Sequence, residues 1–242
     1  MLKKILIPVL FVLFIALFPL TAGHAAEPDD RDDARQSIRE GNEKFARGRY
    51  EEAVESYRKA LAGPVELSAT ARYNIGVCLY ELGRTREAVA AYREAVAARR
   101  GNYAKASYAL GVALEDLEEW AGAEAAYREA VGASGGRHAE AHFRLGVMAA
   151  RAGANERAGA LFKRAVEISG DRFPTARNNL GVMLALAGRH REAECEFAAA
   201  LAQGGDAYED ARRNLALCRS LLLRQRTTDE VGRLTLTASP PR

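Results

Sequence analysis

Cysteine, tryptophan and histidine are scarce in this chain of 242 residues, at three, one and four copies. With only Cys78, Cys195 and Cys218, no dense disulfide framework can staple it, so its stability rests on an apolar core. Excess charge of one sign is missing too: the formal net charge is +3. That balance gives no concentrated basic stripe, which sets nucleic acid aside as a partner. Signs of wholesale disorder are also lacking, because 48% of the residues are hydrophobic and 28% charged. Long apolar runs are absent except for one, at the N-terminus.

That run has the order of a secretory signal. Lys3 and Lys4 precede apolar residues from Ile5 to Leu20, and small residues follow around Ala22 to Ala26. Cleavage after Ala25 places Gly23 and Ala25 at the two small-residue positions, making 1–25 the signal peptide and 26–33 a linker. No cysteine there offers a lipid anchor. The alternative is an uncleaved membrane anchor, since residues 5–22 carry no charge and approach the minimum length that spans a bilayer. On either reading everything after Glu27 is exported, to the periplasm or another extracytoplasmic space. The membrane is then touched only through this segment. Without Lys3 and Lys4 the remainder has 33 basic and 32 acidic residues, close to neutral.

Past residue 33 the chain repeats itself. Gly41, Gly76, Gly111, Gly146 and Gly181 follow one another at a fixed interval of 35 residues, the signature of a stacked solenoid. Twelve residues after each comes an alanine (Ala53, Ala88, Ala123, Ala158, Ala193). Four later stands an aromatic (Tyr57, Tyr92, Tyr127, Phe162, Phe197), and three later another alanine (Ala60, Ala95, Ala130, Ala165, Ala200). Intervals of four and three place these residues on one face of a helix. A second glycine, at Gly48, Gly83, Gly153 and Gly188, ends a first helix in each unit, with Glu118 as the exception. Each unit is therefore helix, tight turn, helix. Glycine inside a helix costs about 1 kcal/mol against alanine, so its recurrence demands a packing reason. The expected reason is close approach of the two backbones at the glycine and the alanine twelve residues on, with the aromatic beside the contact.

This spacing of glycine, alanine, aromatic and alanine resembles the tetratricopeptide repeat, and RYEEAVESYRKAL and GRTREAVAAYREAV are similar to that family's second helix. The usual unit has 34 residues and often ends in proline, whereas this one has 35 and ends in glycine-rich joints. The expected fold is all-α: a right-handed solenoid of five helical hairpins (34–68, 69–103, 104–138, 139–173, 174–208), then a capping helix at 209–226. Terminal repeats need a solvated outer face, and Leu215 and Ala216 continue the register there. Residues 227–242 have no helical period and read as a flexible tail.

Catalytic signatures are lacking: there is no phosphate loop, nucleophile elbow or isolated carboxylate pair. The reading is no enzyme and no cofactor. His138 and His142 share a helix face, but HAEAH is not the metalloprotease order and no third ligand is evident, so no metal is assigned. Cys195 and Cys218 lie on successive helices and leave a disulfide open, against three free thiols.

The resemblance also implies a working surface, because first helices of tetratricopeptide arrays line a concave groove that takes peptides or extended segments of partner proteins. Three residues before each repeat glycine the groove then presents Ile38, Tyr73, Tyr108, Phe143 and Asn178. One residue after each it presents Asn42, Val77, Val112, Val147 and Val182. Thr70, Lys105, Glu140 and Thr175 flank this ladder. Its rings serve either as a binding floor, given the contact area aromatics offer, or as packing between repeats. Asn42, Asn74 and Lys105 match part of the carboxylate clamp of one subfamily, but Ile38 and Ala109 stand where it needs cations. The expected function is an exported scaffold holding a protein or peptide partner during assembly of an envelope complex. The alternative is a structural subunit that self-associates through its repeat ends or convex surface.

Overall fold

The computed structural model describes residues 28–205, 208–224 and 236. The expected signal peptide, its cleavage point and, apart from Leu236, the expected tail lie outside the described residues. Within them, eleven α-helices alternate in antiparallel pairs, and no strand is present. The pairs are α1 (Pro28–Ala46) with α2 (Tyr50–Lys59), α3 (Val65–Glu81) with α4 (Thr85–Ala98), α5 (Ala104–Asp116) with α6 (Trp120–Ala133), α7 (Ala139–Arg151) with α8 (Asn155–Ile168), and α9 (Pro174–Leu186) with α10 (His190–Gly204). A lone α11 (Glu209–Arg224) packs on α10 and α9 and closes the array. Helix α1 begins at Pro28, so the stretch 26–33 read as a linker is largely the first turns of a helix.

Each hairpin is fixed where a ring of the second helix lies on the glycine of the first. A methyl group placed on Gly76 would come within 2.6 Å of the Tyr92 ring, and one on Gly146 within 2.7 Å of Phe162. Gly41, Gly111 and Gly181 meet Tyr57, Tyr127 and Phe197 in the same way. This corrects the expected glycine–alanine contact. The alanines twelve residues on are fully buried, but the atoms occupying the space of the missing side chain belong to the aromatic four residues beyond them. An aromatic ring needs a flat seat, and only glycine leaves one on a helix surface at this distance.

The turn inside each hairpin takes one residue in the left-handed region, with φ between 71° and 76° at Gly48, Gly83, Gly153 and Gly188. Glu118 holds the same place in the third hairpin at φ 59°, a conformation that strains any residue with a Cβ. The joints from one repeat to the next use two such residues in succession: Arg100 and Gly101, Gly135 and Gly136, Gly170 and Asp171. The first joint differs. A 3₁₀ turn at Ala60–Ala62 leads through Gly63 to Pro64, and α3 starts early, at 17 residues against 13 for α5, α7 and α9.

Two substitutions test this geometry. Gly111→Ala is expected to cost about 1–3 kcal/mol, because the new methyl must displace the fully buried Tyr127 ring. Glu118→Gly is expected to add roughly 1 kcal/mol by relieving the left-handed strain. Urea denaturation midpoints check both, and an unchanged midpoint for Gly111→Ala would sink the ring-on-glycine account.

Candidate functional site

The first helices place the expected groove residues in two groups. Ile38 on α1, Tyr73 and Val77 on α3, and Tyr108 and Val112 on α5 are half-buried, with Asn42 and Lys105 exposed beside them. Further along, Phe143, Val147, Asn178 and Val182 are buried, at 0%, 5%, 0% and 3% exposure. Glu140 is exposed but stands alone at that end. The ladder is thus a surface over the first three repeats and core over the last two.

Ring contacts run through both groups. Each ring of the ladder lies against the ring that seats on its own glycine: Tyr73 on Tyr92, Tyr108 on Tyr127 and Phe143 on Phe162, at 5.7–5.8 Å between centroids. A third ring arrives from the joint that follows. Tyr103 lies 5.7 Å from Tyr73, His138 4.8 Å from Tyr108 and Phe173 5.1 Å from Phe143. The two tyrosines stay half-buried, whereas Phe143, with a phenylalanine on either side, is enclosed. Asn178 has no place in such a stack. It donates to Asn179 at 3.3 Å and accepts from Asn214 of the capping helix at 2.9 Å, a polar clasp in the core. The joint rings Tyr103, His138 and Phe173 were missed in reading the sequence, although they keep the 35-residue interval and that interval could have found them.

Polar groups of the groove are already engaged. The Lys105 ammonium lies 4.8 Å above the Tyr73 ring. Burial, then the neighbouring Tyr103, pushes the Tyr73 phenol up to about 12, so it stays a neutral donor at physiological pH. Asn42 accepts from the Tyr57 hydroxyl at 2.7 Å and from Asn74 at 3.4 Å, so the two asparagines of the partial clamp face each other. Thr70 donates to the Glu66 carbonyl. Thr175, the other flanking threonine, is buried. Beyond Tyr108 the wall carries a network that the sequence gave no reason to single out: Tyr127 donates to Glu115 at 2.7 Å, Arg144 reaches Glu115 at 3.6 Å, and Tyr80 donates to Asp116.

A family model for the tetratricopeptide repeat matches residues 38–103, 79–137 and 108–174, more than half of the chain. The chain belongs to the tetratricopeptide repeat family. No curated protein matches it significantly. Solved structures share its fold. PilF of Pseudomonas aeruginosa is 17% identical with a TM-score of 0.62, over 83% of this chain and 96% of that one. MamA of Desulfovibrio magneticus RS-1 is 21% identical with a TM-score of 0.58, over 72% and 96%. YrrB, described as a tetratricopeptide protein with an unusual peptide-binding site, is 23% identical with a TM-score of 0.61, over 75% and 93%. Tetratricopeptide repeat proteins bind protein or peptide partners and are typically non-enzymatic scaffolds.

The other candidate chemistries resolve into structure. His138 and His142 serve the joint between the third and fourth repeats, and among the described residues no group of three or more His, Cys, Asp or Glu could hold a metal ion. All three thiols are free, Cys78 and Cys218 buried and Cys195 exposed, so the disulfide left open between Cys195 and Cys218 is not formed. Among the described residues no helix is long and apolar enough to cross a membrane.

The split of the ladder predicts contrasting costs. Phe143→Ala removes a fully buried ring between two others and is expected to cost about 3–5 kcal/mol. Tyr108→Ala, at a half-exposed site, is expected to cost less than half as much. Thermal and denaturant unfolding of the two variants checks the difference. Equal losses would mean that Tyr108 is core.

Proposed function

We propose that this tetratricopeptide repeat protein is an exported scaffold that holds an extended segment of a partner protein across its first three repeats, during assembly of a cell-envelope complex. One observation carries the groove reading: Tyr73, Val77, Tyr108 and Val112 form a half-exposed apolar strip on two adjacent first helices. Stacking by Tyr92, Tyr103, Tyr127 and His138 holds its rings in place. A prearranged strip loses little side-chain freedom when a partner docks, and that favours affinity. Ile38, Asn42 and Lys105 extend the strip. The buried Phe143, Val147, Asn178 and Val182 position it from below and from the far end rather than touch the partner. Export rests on the charged, apolar and small-residue order of residues 1–26. The near-neutral balance of the remainder supports a protein partner over nucleic acid.

A second reading has its own observation. A cleft on the opposite side opens between α8 and α10 over Leu180, Met183 and Leu184, beside the exposed Leu186. Charged residues, among them Glu156, Lys163, Arg189 and Glu192, rim that apolar floor, and a cleft of this kind suits self-association through the convex surface. Sedimentation at several concentrations separates the two, because a concentration-independent monomer rules out stacking.

The groove reading is tested with Val77→Thr combined with Val112→Thr. These exchanges keep side-chain shape and place hydroxyls on the strip. The double variant is expected to bind the partner crosslinked in native envelopes more weakly by about 1–2 kcal/mol, with its unfolding midpoint little changed. Unchanged affinity would remove the strip from the site. Intact mass of the native protein tests export: a start near residue 26 is expected, and a retained Met1 would indicate an anchor instead.

A further inference from the structure

We infer that the joint between the third and fourth repeats is a proton-sensitive hinge, in which protonation of His142 loosens α7 from α6. The inference does not depend on what the groove binds.

The apolar core is thin at this point. The buried side chains fall into two large clusters, one running from α1 to α6 and the other from α7 to α11. Leu145 is the one buried residue of the fourth repeat in the first cluster, only the partly buried Met148 and Leu161 of that repeat pack against it as well, and no residue of the third repeat belongs to the second. Polar contacts fill the place of the missing apolar ones. Arg144 faces Glu115 at 3.6 Å, Arg157 donates to Glu124 at 3.2 Å, and the Arg151 guanidinium lies 5.3 Å from the Trp120 ring centre. The connecting backbone has glycine at both of its left-handed positions, Gly135 and Gly136, where the neighbouring joints have one glycine and one larger residue.

His142 ties α7 to that backbone. Its Nε2 lies 3.3 Å from the Gly136 carbonyl oxygen, and its Nδ1 is buried without a partner. In the neutral tautomer Nε2–H donates to Gly136 and the bare Nδ1 loses one acceptor bond to water. A second proton must sit on Nδ1, as a buried donor facing no acceptor, and an unpaired buried charge is far more costly than an unpaired lone pair. Around the ring, Arg164 from α8 and His138 from the joint both oppose a positive charge. Burial is the largest cause, and with these charges it outweighs the Gly136 carbonyl bond, which favours the charged ring, and holds His142 below the usual imidazole range. His138 lies at the same joint. Its Nδ1 accepts from the Ala141 amide at 3.4 Å, capping α7, while lying 3.1 Å from Glu140 and stacking on Tyr108 of α5.

The sign follows from linkage. The closed joint holds His142 with a lowered pKa, and the open joint returns it to the ordinary value near 6.5. The open state therefore binds more protons between the two values. Closed-joint stability is fully present above about pH 6.5 and falls as the pH drops toward the lowered value. The first three repeats and the last two then swing apart while each half keeps its own core.

The single tryptophan is a built-in reporter, since the exposed ring of Trp120 on α6 meets the Arg151 guanidinium of α7 across the joint. Trp120 emission of the full exported chain is followed from pH 8 to 5, with amide-exchange protection corrected for intrinsic rates, in wild type, His142→Gln and His142→Asn. In wild type an emission change is expected below about pH 6.5, with protection in 139–147 falling at least about threefold while α3 and α4 are unaffected. In His142→Gln, which can donate to the Gly136 carbonyl but cannot gain a proton, both changes should vanish. The hinge is overturned if wild type shows no transition, if both variants keep it, or if α3 and α4 lose protection in the same step. Should neither variant match wild-type helicity at pH 8, NMR titration of the wild-type His142 ring decides. A midpoint below 6.5 coinciding with the Trp120 change supports the hinge, and a midpoint at or above 6.5, or one that does not coincide, overturns it.

Discussion

An aromatic ring resting on a helical glycine is the contact from which the rest of this array follows. It occurs five times, from Tyr57 on Gly41 to Phe197 on Gly181. In each hairpin it sets how closely two helices approach and which way the ring faces. A helix normally resists glycine, so the sequence accepts about 1 kcal/mol of local cost per repeat for a fixed tertiary contact. In the second to fourth hairpins the buried seated ring is also the surface on which the first-helix ring lies. That ring receives the ring at the joint that follows. Order passes from one hairpin to the next through these stacks, as expected where each unit meets only its neighbours.

The middle ring of each stack decides what the concave side offers. Two successive tyrosines, Tyr73 and Tyr108, stay half-buried, and with Val77 and Val112 they make an ordered apolar strip. Phe143 between Phe162 and Phe173 turns the same register inward. Asn178 ends the series altogether, and its bond to Asn214 locks the capping helix on. One register of the repeat thus runs from half-buried surface to core to cap, with no change in backbone plan.

The periodic glycines, alanines and aromatics made the hairpins, the turn residues and the cap legible in the sequence, because those residue types answer to backbone geometry within a repeat. Burial along the groove was less legible. Whether Phe143 faces a partner or the core depends on how deeply it sits between Phe162 and Phe173, and residue spacing alone does not give that depth. The partner of the repeat glycine was misjudged for a related reason. Alanine and aromatic lie four residues apart on one helical face, so either could sit opposite the glycine until the depth of packing was known. The start of α1 went unrecognised because Pro28–Asp33 is polar, and a first turn in solvent carries no apolar period.

Departures from the repeat are informative in their own right, and they gather at one place. The first, second and fifth hairpins open their second helix with an Arg–Glu pair, Arg49–Glu52, Arg84–Glu87 and Arg189–Glu192. The third has Glu119 and Gly122 at those positions, preceded by Glu118 in the strained turn, and the fourth has Ala154 and Arg157. These exceptions abandon a surface pair that contributes little to stability and free the start of α6 for contact with the following repeat. Trp120 there takes Arg151, and Glu124, one turn on, takes Arg157. Positions that follow the consensus serve the hairpin they belong to, whereas positions that break it serve the neighbour. An interface built from such exceptions replaces apolar burial with ionic and ring contacts. These are weaker per contact and depend on charge, so the array yields first between its third and fourth repeats.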